Sequence, residues 1–370
     1  MHILVTGGAG FIGSQTVDGL LKKGHQVRIL DNLEKPIHRT GKPDYLPKEV
    51  EFIRGDVRNR SDLGKALKDI EVIFHFAAYQ DYLPDFSKFF HVNSVGTALL
   101  YELIVEKSLP VKKAIVASSQ AVYGEGKYSC GEHGVFSPNI RSTEQLERGQ
   151  WEITCPGCEK IAIPQITDEE TVNPQNQYAI SKYSQELIAL NLGKRYHIPT
   201  TILRYSIVQG PRQSFYNAYS GACRIFCLSA HFDRRLPIFE DGMQLRDYVN
   251  IEDVVNANLL VMDDPRANYR VFNVGGGKGY TVLEFAKIVA KVFGKKFNPE
   301  LSGEFRFGDT RHIISSIAKL KALGWEPKNS VEKSVRDYHA WLNNRGVTED
   351  ILDYAEKKMK ELKVVRRIVV

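Results

Sequence analysis

The chain has 370 residues, enough for two to three domains of roughly 150 residues each. Its 50 basic and 44 acidic residues give a net charge of +6, spread along the chain without a basic stripe, so no nucleic-acid groove is indicated. No apolar run is long enough to span a bilayer, and the first residues resemble a core strand more than a signal peptide. We therefore expect a cytoplasmic protein that binds neither nucleic acid nor membrane.

A glycine-rich turn follows the first predicted strand. The apolar residues 3–5 lead into Gly7, Gly10 and Gly13, and an amphipathic helix is predicted directly afterwards. Glycines allow the backbone to approach a pyrophosphate, whose charge is stabilised by free N–H groups and by the positive end of the helix dipole. The spacing therefore predicts a dinucleotide site. The alternative is a tight strand–helix turn that binds no ligand.

The second predicted strand, residues 26–30, ends in Asp31, roughly 20 residues beyond the glycines. A carboxylate there can accept hydrogen bonds from an adenosine ribose, and it would repel a 2′-phosphate. The sequence thus favours NAD over NADP.

Strands and helices alternate through the first half of the chain, which predicts an α/β fold with a Rossmann-like, doubly wound parallel sheet. We expect an NAD-binding domain over residues 1–205, interrupted by a cysteine-containing insert over 125–173 with little periodicity. Residues 206–342 should form mainly a smaller lobe that binds the substrate. Residues 343–370 should form a helical tail that docks on the body or on a second subunit.

Candidate catalytic residues lie on a predicted helix and at the end of a predicted strand. Tyr178 and Lys182 lie four residues apart, on one face of a predicted helix, and the ammonium would favour the phenolate and so make a general base. Ser119 ends a predicted parallel strand, where α/β sheets present functional groups, and could bond the same substrate oxygen. Proton removal from a hydroxyl would accompany hydride transfer to a nicotinamide. The alternative is an exposed helix pair without a catalytic role.

Several motifs together resemble those of the extended short-chain dehydrogenase/reductases, and within them the nucleotide-sugar epimerases and dehydratases. The resemblance rests on Gly7-Gly-Ala-Gly-Phe-Ile-Gly13, Asp31-Asn-Leu33, Gly55-Asp56-Val57, His75-Phe-Ala-Ala78, Ala117-Ser-Ser-Gln-Ala-Val-Tyr-Gly124 and Tyr178-x-x-x-Lys182. It continues through Leu203-Arg-Tyr205, Gly210-Pro-Arg-Gln213, residues 240–248, Phe272-Asn-Val-Gly275 and Gly308-Asp-Thr-Arg-His312. It covers nearly the whole chain except the insert and the tail.

The resemblance implies Tyr178 as base, Lys182 as a residue that also holds the nicotinamide ribose, and Ser119 as the group that polarises the sugar oxygen. It implies that the NAD contacts, besides Tyr178 and Lys182, are Gly7, Gly10, Phe11, Ile12, Gly13, Asp31, Asn32, Asp56, Val57, Phe76, Ala77, Ala78, Asn93, Tyr205 and Val208. Ser119 and Gln120 would contact the sugar, while Arg246 and Arg311 would bind its diphosphate or nucleotide. A homodimer with a four-helix contact is also implied.

Two departures from the family pattern narrow the reaction. Dehydratases of the family carry an Asp-Glu pair after the catalytic hydroxyl, where this chain has Gln120 and Ala121, so a dehydratase is disfavoured. Ile207 stands where many relatives have an asparagine near the substrate phosphates. We expect NAD-dependent epimerisation of a nucleotide-diphosphate sugar, at C4 through a 4-keto intermediate. The alternatives are a reductase or dehydrogenase of such a sugar, and a non-catalytic NAD-binding scaffold.

The insert carries two pairs of candidate metal ligands, Cys130 with His133 and Cys155 with Cys158. Their spacing is that of a tetrahedral zinc ribbon, and four protein ligands would leave no open position, which predicts a structural zinc. A chance pairing or a Cys155–Cys158 redox pair are the alternatives. The insert resembles that of a subset of sugar epimerases that includes the dTDP-L-rhamnose 4-epimerases.

Overall fold

The computed structural model describes residues 1–81, 83–216 and 221–369. Residues 217–220 of the expected lobe and residue 370 of the expected tail lie outside the described residues. The strands are β1 His2–Thr6, β2 Gln26–Asp31, β3 Glu51–Arg54, β4 Val72–His75, β5 Lys113–Ser119, β6 Lys127–Cys130, β7 Gly134–Phe136, β8 Ile163–Gln165, β9 Thr200–Tyr205, β10 Ile207–Gln209, β11 Leu236–Ile238, β12 Leu245–Asn250, β13 Arg270–Val274, β14 Gly279–Thr281, β15 Pro299–Leu301, β16 Glu304–Arg306 and β17 Val365–Arg367.

The helices cover both faces of the main sheet and form most of the C-terminal part. They are α1 Phe11–Lys22, α2 Arg60–Ala66, α3 Phe86–Phe89, α4 Gly96–Glu106, α5 Thr143–Glu147, α6 Gln177–Arg195, α7 Ala222–His231, α8 Ile251–Asp263, α9 Val282–Val292, α10 Ala318–Lys321, α11 Val331–Arg345 and α12 Leu352–Glu361. A π-helical turn, Phe90–Val95, precedes α4, and short 3₁₀ turns cover Gln120–Tyr123 and Pro265–Ala267. Within the described part of the chain, no helix is long and apolar enough to cross a bilayer.

A parallel sheet of seven strands lies at the centre, in the order β13-β9-β5-β4-β1-β2-β3. The inner strands are buried because two apolar clusters flank them, one around Val5 and Ile29 and the other around Leu4 and Ile73, whereas the edge strand β3 is exposed at both ends. The chain order reverses between β1 and β4, and such a switch point opens a crevice at the carboxyl ends of the strands. This arrangement is the expected doubly wound sheet.

The smaller lobe has its own core, around Phe226, Phe285 and Tyr338. However, β13 and α8, which come from the residues expected in this lobe, return to the central sheet, where α8 packs beside α1. The segments of the central-sheet domain and of the smaller lobe therefore alternate along the chain. The domain boundaries given above stay a prediction.

The insert contains more regular structure than its composition suggests. Strands β6, β7 and β8 form an antiparallel sheet in the order β7-β6-β8, and Tyr128 and Ile153 are buried in a small core beneath it. The low periodicity of the insert did not reveal these strands, because strands of three or four residues are too short to show a hydrophobic period. In the tail, β17 pairs with β16, so this part of the tail docks on the body.

Candidate active site

A cleft of about 790 Å³ opens at the carboxyl edge of the central sheet. The ends of β1, β4, β5 and β9 contribute Gly7, Phe76, Ser119 and Tyr205 to its walls. Of the expected site residues, those that line the cleft are Gly7, Gly10, Phe11, Ile12, Gly13, Phe76, Ser119, Gln120, Tyr178, Tyr205, Val208 and Arg246. The cleft therefore joins the glycine turn to the candidate catalytic residues.

The glycine turn is shaped by close backbone contacts. Gly7 has a φ of +68°, and a Cβ at that position would lie 2.7 Å from the backbone nitrogen of Ala77. A Cβ at Gly13 would lie 2.2 Å from the carbonyl oxygen of Gly7. Helix α1 begins at Phe11, directly after the turn, so its N-terminal N–H groups lie beside the cleft. The residues present thus fit a dinucleotide pyrophosphate.

Asp31, expected at the adenosine ribose, and Asp56, expected as an NAD contact, do not line the cleft. The Asp31 carboxylate accepts hydrogen bonds from the N–H groups of Ala9, at 3.0 Å, and Leu33, at 2.9 Å. Burial alone would raise the pKa of Asp56, but hydrogen bonds from Arg58 and Asn32 lower it to about 2. Of the expected NAD contacts among the described residues, those that do not line the cleft are Asp31, Asn32, Asp56, Val57, Ala77, Ala78, Asn93 and Lys182.

Ser119 is held in a defined orientation. It is the N-cap of the 3₁₀ turn that follows β5, and its hydroxyl oxygen accepts the N–H of Ala121 at 3.1 Å. Because that oxygen already accepts a hydrogen bond, its own hydrogen can be donated to an oxygen in the cleft.

Tyr178 and Lys182 both lie on α6, which begins at Gln177 under an Asn176 cap. Lys182 is 2% exposed, and its ammonium donates to the side-chain oxygen of Gln185. Burial lowers the pKa of Lys182 to about 7, against the opposing charge of Glu186. The pair is therefore not the exposed helix pair considered as the alternative, since its lysine lies in the interior below the cleft.

Asn93 lies in the π-helical turn and is fully buried. Its amide nitrogen donates to Ser181 on α6 at 2.9 Å, and its oxygen accepts the N–H of Tyr79 at 2.8 Å. These bonds tie α6 to the loop after β4. In the described structure Asn93 thus positions α6 by contacts within the protein, and π-turns of this kind are frequent at functional sites.

The two arginines expected to bind a diphosphate lie in different surroundings. Arg246 lines the cleft, on β12. Arg311 is fully buried, and its guanidinium pairs with Asp241 at 2.7 Å, Glu152 at 2.5 Å and Glu240 at 3.0 Å. The structure does not bring Arg311 to the cleft, because three carboxylates from other segments hold it in the interior.

Two named relatives resemble the chain over nearly its whole length. It is 33% identical to the dTDP-L-rhamnose 4-epimerase of Burkholderia thailandensis, over 92% of this chain and 94% of that protein. It is 30% identical to a putative UDP-glucose 4-epimerase of Methanocaldococcus jannaschii, over 94% of this chain and 100% of that protein. The sequence profile of the NAD dependent epimerase/dehydratase family matches residues 3–144 and 155–275. The chain belongs to this family.

Solved structures of the epimerase/dehydratase family agree with that assignment. The UDP-glucose 4-epimerase of Thermotoga maritima, solved with UDP-glucose, superposes with a TM-score of 0.77 at 31% identity, covering 94% of this chain and 100% of that one. The UDP-glucuronic acid 4-epimerase of Bacillus cereus, solved with UDP-glucuronic acid and NAD, gives 0.76 at 26% identity, covering 93% and 100%. The predictions of the family, the Rossmann-like fold and NAD-dependent epimerisation of a nucleotide sugar are confirmed.

The match to the epimerase/dehydratase profile is interrupted at residues 145–154, within the insert that holds the four candidate metal ligands. The ligand atoms of Cys130, His133, Cys155 and Cys158 all lie within 4.8 Å of one another. The Cys130 and Cys158 sulfurs are 3.6 Å apart, and the Cys155 sulfur lies 3.5 Å from His133 Nδ1. Bonds of about 2.3 Å to a tetrahedral ion place two sulfurs about 3.8 Å apart.

Gly157 supports the same arrangement. A Cβ on Gly157 would lie 2.7 Å from the His133 ring, and its N–H points to the Cys155 sulfur at 3.4 Å. The turn between the two cysteines is therefore built around its ligands, and the donor set fits zinc.

Several residues that line the cleft were not predicted as site residues, among them Arg306, Glu125, Gln175 and Ile140, and Arg212, which lies in a recognised motif without an assigned role. Arg306 stands two residues before the recognised Gly308-Asp motif, so an extension of that motif could have found it. Glu125, Ile140 and Gln175 lie inside or at the border of the insert, where no motif marked them.

Proposed function

We propose that the chain inverts C4 of a nucleoside-diphosphate sugar through a transient 4-keto intermediate. The observation that carries this proposal is the continuity of the cleft, which runs from the glycine turn past Ser119 and Tyr178 to Arg246. NAD held at the glycine turn would supply reversible hydride chemistry at C4. The sugar would undergo no net oxidation, so turnover would need no added NAD.

Each catalytic residue has a role that its surroundings favour. Ser119 donates a hydrogen bond to the C4 oxygen, because its own oxygen accepts the N–H of Ala121. Tyr178 removes the proton of the C4 hydroxyl group. After the 4-keto sugar has rotated to present its opposite face, Tyr178 returns a proton to the C4 oxygen. A protonated Lys182, four residues along α6, stabilises the phenolate, and its burial strengthens that interaction.

At the other end of the cleft, Arg246 and Arg306 bind the diphosphate. Both line the cleft, and a guanidinium can donate two parallel hydrogen bonds to phosphate oxygens. Arg311 acts as an internal brace. Since relatives act on dTDP-L-rhamnose and on UDP-glucose, both are the first substrates to examine.

The test is incubation of the purified protein with dTDP-L-rhamnose, UDP-glucose or UDP-glucuronic acid, without added NAD, followed by NMR of the C4 configuration. We expect one of these sugars to be inverted over many turnovers. Turnover that requires and consumes added NADH stoichiometrically would indicate the reductase alternative. Absence of any conversion, together with full biological activity of Tyr178→Phe, would indicate the scaffold alternative.

We also propose that Cys130, His133, Cys155 and Cys158 hold one structural zinc ion. The four ligand atoms converge with the separations of a tetrahedral site, and four protein ligands leave no open position for chemistry. Metal analysis should give one zinc per chain, and Cys155→Ser should lower this value severalfold. Cys223→Ser, a buried cysteine outside the cluster, is the matched control and should leave it unchanged.

A homodimer is proposed from the outer face of α6 and the segments beside it. Ile180 and Leu187 on α6 are 44% and 52% exposed, and Val95 and Phe86 on the preceding helical segments are 49% and 56% exposed. Apolar side chains at these positions are suited to a helical contact between two copies. Light scattering should give twice the mass of the chain, and Leu187→Glu should give monomers.

A further inference from the structure

The insert contributes a side chain to the substrate cleft. Ile140 lies between the insert's first strand pair and α5, yet it lines the cleft beside residues of the main fold. A Cβ placed on Gly308 would lie 3.6 Å from Ile140 Cδ1, so the side chain packs against the loop that follows Arg306. The cleft wall here is therefore made by a segment outside the central sheet.

The segment that carries Ile140 is fixed on both sides. Two residues earlier, the Pro138 carbonyl accepts hydrogen bonds from Asn173 and Gln175, each at 3.0 Å. The next residue, Arg141, is 3% exposed and binds both carboxylate oxygens of Glu240, at 2.8 and 3.0 Å.

Arg141 is also bound to three further segments. It donates to the carbonyls of Asp309 at 2.7 Å and Trp151 at 3.0 Å, and it lies 3.4 Å from the Glu125 carboxylate. A buried guanidinium with this many partners cannot move without leaving charges unpaired. Ile140, the residue before Arg141, is therefore held at a fixed position in the cleft wall.

The segment that carries Ile140 contacts one stretch of chain that leads to Tyr178 and another that follows Arg306. Gln175, which binds the Pro138 carbonyl, precedes Tyr178 by three residues, and Gly308, which Ile140 contacts, follows Arg306 by two. A sugar bound with C4 at Tyr178 and its diphosphate at Arg246 and Arg306 would turn a ring edge to the wall that includes Ile140. In one of the two orientations that C4 inversion requires, this edge carries C5 and C6.

The chemistry of the wall favours an apolar group at that edge. Ile313, 4% exposed, also lines the cleft and packs on Gly126, where a Cβ would lie 2.9 Å from its Cδ1. Glu125 lines the same wall, but both of its carboxylate oxygens are already engaged, one by Arg141 at 3.4 Å and the other by the N–H of Arg311 at 2.6 Å. A carboxylate at C6 would lose its hydration here without gaining a partner. A hydroxymethyl group would lose part of its hydration against Ile140 and Ile313.

We propose that Ile140 determines sugar specificity and selects a 6-deoxy sugar, with a methyl group at C6, over sugars with a hydroxymethyl or carboxylate group there. This inference rests on the proposed function of the cleft. An apolar wall rejects an added hydroxyl by about 10- to 100-fold, so the wild type should prefer the 6-deoxy sugar by that factor in kcat/KM. The preference should fall to within about threefold in Ile140→Ala, and Ile140→Val should retain most of it.

The test uses dTDP-6-deoxyglucose, dTDP-glucose and dTDP-glucuronic acid, which differ only at C6. Ile163→Ala is the matched control, because Ile163 is 63% exposed on the same insert and does not line the cleft. The affinities of the same three sugars are measured by titration calorimetry in a Tyr178→Phe background, so selectivity is readable without turnover. Zinc content reports whether each variant keeps the insert folded.

A C6 preference that Ile140→Ala removes and Ile163→Ala retains supports the inference. An unchanged ratio in Ile140→Ala, or an equal change in Ile163→Ala, overturns it. If the wild type inverts no sugar and yet its affinities depend on C6 through Ile140, the proposed function fails and the specificity assignment stands.

Discussion

The two ends of the cleft are built in different ways. The cofactor end is made of backbone: Gly7 and Gly13 approach their neighbours so closely that a single Cβ would collide with a carbonyl or amide. The substrate end is made of buried charges, where Arg141 and Arg311 share Glu240. Close backbone contacts within one turn fix the shape of the cofactor end. Ion pairs between segments that are distant in sequence hold the substrate end together.

This difference decides how each end responds to substitution. A turn held by close contacts tolerates no added atom, but each contact is local and the rest of the fold is unaffected. A buried ion-pair network loses several kcal/mol when one member is removed, because the others remain buried and unpaired. Variants at the cofactor end should therefore lose NAD, and variants in the network should lose stability.

The largest expected effect comes from Tyr178→Phe, between the two ends. Loss of the phenol removes general base catalysis, worth about 10²- to 10⁴-fold, so kcat should fall by about a thousandfold. NAD content should stay unchanged because the cofactor end is intact. NMR of the sugar and absorbance of the released cofactor measure the two quantities. Tyr196→Phe, at the exposed end of the same helix, is the control, and a fall of less than tenfold in Tyr178→Phe would contradict the assignment.

Gly13→Ala tests the cofactor end alone. The added Cβ would lie 2.2 Å from the Gly7 carbonyl oxygen, so the turn must open and NAD content should fall at least tenfold. Gly64→Ala is the control, since its Cβ would meet only the end of the Lys107 side chain, at 3.1 Å. Full NAD occupancy in Gly13→Ala, measured after denaturation, would show that the turn does not bind the pyrophosphate.

The pair Arg246→Met and Arg311→Met distinguishes substrate binding from bracing. Arg246→Met should raise KM by about tenfold or more with little change in melting temperature, because it lines the cleft. Arg311→Met should destabilise the fold by about 3–5 kcal/mol, since Asp241, Glu152 and Glu240 lose their common partner. Steady-state kinetics measure KM, and thermal melts measure stability. A raised KM with unchanged stability in Arg311→Met would indicate that Arg311 contacts the substrate.

The smallest effect concerns pH and Lys182. Burial lowers its pKa from 10.5 to about 7, so unfolding takes up a proton between these values and stability rises with pH across that interval. Below about pH 7 both states are protonated and the full cost of burying the charge is present. Lys182→Met should therefore melt a few degrees higher at pH 6, and this gain should shrink towards pH 10. Melts at saturating NAD measure it, and parallel pH profiles of the two proteins would refute it.

The sequence predicts the local elements closely. The sequence predicts a helix over 177–195 and strands over 113–119 and 200–205, and α6, β5 and β9 lie at those residues. The two strands are runs of six or seven residues with an apolar centre, and the helix begins after a capping asparagine. The sequence also predicts a helix from about Ser61, capped by Ser61 and Asp62, whereas α2 begins at Arg60 and is capped by Asn59. Capping is a single side-chain contact, so a boundary of this kind is only approximate in a sequence.

The substrate end was less predictable, for a physical reason. Arg311 contacts Glu152 and Glu240, which lie 159 and 71 residues away, and such pairs leave no local pattern. A motif can show that an arginine is present, but not whether a carboxylate from another segment reaches it first. Ile140 likewise becomes a cleft residue only through the anchoring of its neighbour Arg141.

The most direct test of the account follows the hydride. A dTDP-sugar or UDP-sugar carrying deuterium at C4 is incubated in ordinary water with the purified protein and no added NAD. We predict that the product inverted at C4 keeps its deuterium, because the hydride leaves for bound NAD and returns to the same carbon. Loss of deuterium to water, or turnover only with added NADH, would contradict an epimerase with a resident cofactor.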